Sequence, residues 1–159
     1  MKTATIKQLK TELQYKDADQ LSALLLRLTK YKKENKELLT YLLFDGDDEN
    51  NYIQQVKKCI DDDFSKLNIN NNYLAKKTIR KVLRTANKYI KYSGNKQTEV
   101  EVLIYFLQSL KEKYLDYYYS RVIENMYYTQ LNKVNKSLLK LHEDIQYDYK
   151  DDIEKLEED

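Results

Sequence analysis

The stretch 75–96 reads AKKTIRKVLRTANKYIKYSGNK, and its two faces decide the fold class. On a helical wheel at about 100° per residue, Ala75, Ile79, Val82, Leu83, Ala86 and Ile90 gather on one arc. Lys77, Arg80, Lys81, Arg84, Lys88 and Lys91 gather on the opposite arc. An apolar face opposite a charged face at this period is the pattern of an amphipathic helix with one side in a core. The periodicity predicts a helix over 73–92, ended by Ser93-Gly94, since glycine favours the position after a helix C-terminus. No acid occurs between Asp63 and Glu99. Lysines without glutamates four residues away destabilise an isolated helix slightly. Packing on the apolar arc, or a partner on the basic arc, must offset that repulsion.

The flanking segments repeat the helical period. Before the basic stretch, Ile53, Val56, Ile60, Phe64 and Leu67 mark one side of a helix over 49–67, and the polar NINNN (68–72) forms a turn. After it, Val100, Leu103, Leu107, Leu110, Tyr114 and Tyr117 recur at alternating spacings of three and four. That stripe meets the polar Glu124 and restarts in a new phase with Tyr127, Leu131, Val134, Leu138, Leu141 and Ile145. The change of phase predicts a bend or junction between about 116 and 125. In the first third of the chain, Ile6, Leu9 and Leu13 keep helical spacing, as do Leu21, Leu24, Leu25 and Leu28. Leu38, Leu39, Leu42 and Leu43 are expected to form the buried face of a short helix over 35–44, capped by Asn35. DGDDENN (45–51) then breaks the pattern, with Asp47 or Asp48 able to cap the next helix.

A chain of 159 residues with no proline and two glycines has little turn chemistry for strands. The expected fold is all-α: six to eight helices in antiparallel hairpins, as a helical bundle or a short HEAT-like stack. The hairpins pair 19–31 with 35–44, 49–67 with 73–92, and 97–118 with 121–148. One domain over 1–148 is expected, with 149–159 an acidic tail that frays. The formal net charge is +2. Cys59 is the single cysteine, which fits a reducing compartment. The charged N-terminus is not a secretory signal, and no apolar run is long enough to span a membrane. These features give a cytoplasmic protein without a membrane partner.

The six basic positions Lys77, Arg80, Lys81, Arg84, Lys88 and Lys91 are the candidate site, a face for an anion or partner. One reading is phosphate tracking along nucleic acid, with Tyr89 and Tyr92 at the edge as stacking groups. The competing reading is internal neutralisation. Residues 45–63 carry seven acids against two lysines, and 143–159 carry nine against two. No helix-turn-helix, RNA-recognition or zinc pattern supports base readout.

The remaining motifs resolve into structure. DGDDENN lacks the spacing of a calcium loop, and capping explains it. The carboxylates at 61–63 lie at a helix end whose dipole disfavours them, so cationic neighbours are expected. In YLDYYYSRVIENMYY (114–128), Tyr114, Tyr117 and Tyr118 continue the apolar stripe as core or core edge. The alternative is an aromatic patch for a protein partner. His142 reads as a boundary residue and Cys59 as a buried inert thiol. No catalytic, metal or cofactor pattern is present, so no enzyme activity and no cofactor are expected.

KYKKENKELLTYLLFDGDDENNYI (30–53) resembles a segment of uncharacterised all-helical bacterial proteins with no assigned activity. The resemblance covers about the first third of the chain, rests on apolar spacing plus KENKELLTYLLF, and implies a helical fold but no site residues. The sequence thus reads as a non-enzymatic helical interaction or scaffold module whose partner is another protein or a second copy. Nucleic-acid binding through the 73–92 face is the alternative.

Overall fold

The densest apolar stretch of the chain, EVLIYFLQSL (101–110), becomes its most buried helix. The structure is a computed structural model that describes residues 2–158; Met1 and Asp159, at the ends of the expected domain and tail, lie outside it. Among the described residues the chain is all-α. It divides into two units, Met1–Phe44 and Asp45–Asp159, which are described separately.

In the second unit, α4 (Glu49–Phe64), α5 (Asn72–Ser93), α6 (Lys96–Leu110) and α7 (Arg121–Leu138) form a bundle, followed by α8 (Glu143–Asp148) and α9 (Lys150–Glu157). The expected pairs α4 with α5 and α6 with α7 are both in contact. Helix α6 also meets α4, α5 and α9, so it is enclosed on several sides, which makes this a bundle around a central helix. Val100, Leu103, Phe106, Leu107 and Leu110 are fully buried, and Val102 on another face is buried too. The Phe64 and Phe106 rings stack with centroids 5.9 Å apart. Removing such side chains from water is the main favourable term here, at about 25 cal/mol per Å² of apolar surface.

Local chemistry sets the helix ends. Asp48 accepts from the Asn51 amide at 3.1 Å to cap α4, and Asn71 accepts from Leu74 at 3.0 Å to cap α5. Gly94 ends α5 at φ 67°, a left-handed conformation that suits glycine. Ser93 and Thr98 both donate to Glu49, tying the α5–α6 corner to the start of α4. The predicted junction after α6 is present as a π-helical turn, Lys111–Leu115, followed by a non-helical segment before Arg121.

The C-terminal tail departs from expectation. Residues 150–157 form a helix rather than a frayed end, because Ile153 and Leu156 are buried and the Tyr127 hydroxyl donates to the Leu156 carbonyl at 2.8 Å. Acidic composition concealed a two-residue apolar anchor spaced i, i+3.

The first unit holds α1 (Ile6–Gln14), α2 (Ala18–Tyr31) and α3 (Lys33–Thr40), ending in a π-helical turn over Tyr41–Asp45 that runs into the second unit. Thr5 caps α1 through a reciprocal capping box with Gln8, and Asp17 caps α2. Asn35 does not cap: its side chain donates to the Leu28 carbonyl at 2.9 Å, tying α3 to α2. The predicted pairing of α2 with α3 is present.

Candidate functional site

Helix α5 carries the basic candidate face. Its apolar arc is in the core, with Ala75, Ile79, Val82 and Ala86 fully buried. The opposite arc is open. Lys77, Arg80, Lys81, Arg84 and Lys91 are exposed, and Lys88 is half-buried. Lys81 donates to Asp63 at 2.9 Å, which Lys66 also reaches at 3.2 Å, and Thr85 donates to the second Asp63 oxygen at 3.2 Å. Burial alone would raise the Asp63 carboxyl, but the hydrogen bonds from Lys81 and Lys66 hold it below its ordinary value. The expected cationic neighbour of the 61–63 carboxylates is therefore α5. The Lys88 ammonium lies 4.6 Å from the Tyr89 ring centre and 6.0 Å from that of Tyr92, so these rings pair with a lysine of their own helix.

Internal neutralisation is thus local. Among the described residues no acid forms an ion pair with Lys77, Arg80, Arg84 or Lys91. Lys77, Arg80 and Arg84 line a shallow groove of about 470 Å³ with Tyr73 and Leu83. From Lys77 to Lys91 the stripe covers roughly 21 Å at 1.5 Å per residue. A second depression of about 360 Å³ joins Lys91 to Lys96 and Lys133 at the start of α6. There the buried Glu99 receives Lys96 at 2.5 Å, Lys133 at 3.0 Å and the Ser137 hydroxyl at 3.1 Å. Burial would raise the Glu99 carboxyl, yet these donors hold it below its ordinary value. That cluster pins α6 to α7.

The first unit carries a different surface. Of its eleven leucines nine are exposed and none is buried. Leu25 and Leu28 on α2 are 48% and 56% exposed, and Leu42 and Leu43 exceed 60%. The expected buried face at Leu38, Leu39, Leu42 and Leu43 is a correction: Leu39 is half-buried and the other three are exposed. Three short helices leave too few facing residues to enclose such a stripe. Residues 1–44 carry nine basic side chains and five acidic ones, a formal balance of 9 − 5 = +4.

The tyrosine stretch splits. Tyr114 is 2% exposed and belongs to the core, Tyr118 is at its edge, and Tyr117, expected to continue the stripe, is 75% exposed. The π-helical turn at 111–115 rotates Tyr117 off the α6 face. His142 is exposed and its Nδ1 accepts from the Asp144 amide at 3.4 Å, and Cys59 is half-buried. Among the described residues no group of three His, Cys, Asp or Glu side chains is placed to hold a metal ion, and no helix is long and apolar enough to cross a membrane. No family model, curated protein or solved structure matches this chain.

Proposed function

We propose that the protein is a non-enzymatic helical interaction module that docks a partner protein through the leucine face of its first unit. One observation carries this reading: nine of eleven leucines there are exposed at helical spacing. Exposed leucines in this number within 44 residues support an interaction role, since large exposed apolar surface marks binding sites. The occupant that fits is an amphipathic helix, apolar on one side and acidic along its flanks, because the docking unit carries a balance of +4. A second copy would bring the same charge to its own like. The single cysteine fits a reducing, cytoplasmic setting for such a module.

The test uses designed helical peptides with one leucine stripe and either glutamate or lysine flanks, titrated by fluorescence anisotropy. The acidic-flanked peptide is expected to bind and the basic-flanked one not. Leu25→Asp with Leu28→Asp should abolish the signal. Equal binding of both peptides, or binding that survives the double substitution, would remove the reading. Sedimentation at rising concentration checks self-association; a tight dimer through this face would replace the outside partner with a second copy.

A specific observation also favours the alternative on α5. Among the described residues Lys77, Arg80, Arg84 and Lys91 are exposed and without an ion-pair partner along one stripe, the arrangement that phosphate backbones require. Titration of a labelled duplex and a labelled single strand at low and rising salt tests it. Binding that weakens steeply with salt, and is lost in Arg80→Gln with Arg84→Gln, supports it. Absence of binding at low salt removes it.

A further inference from the structure

The corner between α6 and α7 holds a cavity of about 300 Å³ that neither docking face uses. Tyrosines and acidic residues make up most of its lining residues. Tyr117, Tyr118, Tyr119, Tyr127 and Tyr128 contribute rings, and Asp116, Glu124 and Glu158 contribute acids. Lys111 also lines it, but its ammonium is already donated to the Lys155 carbonyl at 3.3 Å and to the Glu158 carbonyl. The balance of charged side chains is therefore 1 − 3 = −2.

Ser120 makes this cavity unusual. It stands at the start of α7, 6% exposed, yet its hydroxyl caps no amide. Its Oγ is buried with no hydrogen-bond partner among the described residues. A buried hydroxyl left unpaired costs free energy that a ligand atom can return. The Tyr127 hydroxyl does not fill that role, since it already donates to Leu156.

We propose that this cavity binds a primary ammonium group carried on an aliphatic stem. The ammonium donates a hydrogen bond to Ser120 Oγ and lies among the Asp116, Glu124 and Glu158 carboxylates. The stem lies against the tyrosine rings, whose faces attract cations. The N-terminus of α7 carries partial positive charge that opposes a cation. Glu124 in its first turn and Asp116 before it outweigh that partial charge.

The experiment is amide NMR shift mapping on the full chain, with n-butylammonium as probe and 1-butanol, acetate and tetramethylammonium as controls. Saturable shifts centred on residues 116–124 are expected for butylammonium and absent for butanol and acetate. Tetramethylammonium has no N–H to give Ser120 and should bind more weakly. Ser120→Ala removes an unpaired buried hydroxyl, so it should keep or raise the melting temperature while weakening butylammonium about threefold or more. Glu124→Gln, on a half-buried side chain, should weaken it by a similar factor without touching Ser120. Equal binding of butanol, shifts centred elsewhere, or unchanged affinity in both variants would overturn the assignment. A stronger response to Nα-acetyl-lysine methylamide than to butylammonium would assign the ammonium to a peptide side chain, and the reverse to a free amine.

Discussion

Leu25 and Leu28 on α2 (i, i+3) and Leu103 and Leu107 on α6 (i, i+4) are both pairs of helical neighbours, yet the first pair is about half exposed and the second is fully buried. Helical spacing determines which residues share a face. It does not determine whether anything covers that face. Helix α6 is covered because α4, α5, α7 and α9 all pack on it. Helix α2 has α3 within its unit, and that leaves its leucines open.

The largest expected effect is in the buried member of the comparison. Leu107→Ala should lose about 2–5 kcal/mol of unfolding free energy, whereas Leu25→Ala should stay within about 0.5 kcal/mol. Chemical denaturation of both variants checks this. Comparable losses would show that the leucine face of the first unit is packed in solution. Tyr114→Ala against Tyr117→Ala makes the same contrast inside one stretch. The first should cost about 3 kcal/mol or more and the second should be near neutral, read as a shift in melting temperature.

Glu99 sharpens the comparison through pH. Its folded-state carboxyl is held below the ordinary value, so its contribution to stability is present above about pH 4.5 and fades as pH falls through the folded value. Glu99→Gln should cost about 1–3 kcal/mol near neutrality and flatten the acid side of a stability–pH curve for the second unit. An unchanged acid side would mean that the Lys96–Glu99–Lys133 cluster adds nothing. The smallest effect is at the surface. Lys81→Gln removes a half-exposed pair with Asp63 and should change stability by less than about 1 kcal/mol.

Much of the second unit was legible because its stripes are long. Four of the five apolar positions read from the sequence lie on α4, Leu67 falling beyond its end, and six lie along α5; these leave one solution for each helix, and Asp48, Asn71 and Gly94 punctuate them as their chemistry demands. The junction after Leu115 was legible as a change of phase at Glu124. The exposure of Tyr117 was not, because a π-helical turn alters the angle per residue that a wheel assumes. The helix over 150–157 was hidden by its acids, its two buried residues being too few to stand out. The basic arc of α5 was legible as an arc, and only tertiary structure shows that Asp63 pairs with Lys81 while, among the described residues, no acid pairs with Arg80 or Arg84. Ser120 gave no sequence signal.

Amide hydrogen exchange of the full chain, with and without the acidic-flanked peptide, tests the central contrast most directly. Amides of α6 should exchange slowly in both conditions. Those of α2 and α3 should exchange fast alone, since short helices without a core are marginal, and slow when the peptide is present. Protection of α2 and α3 equal to that of α6 without any partner would contradict the account.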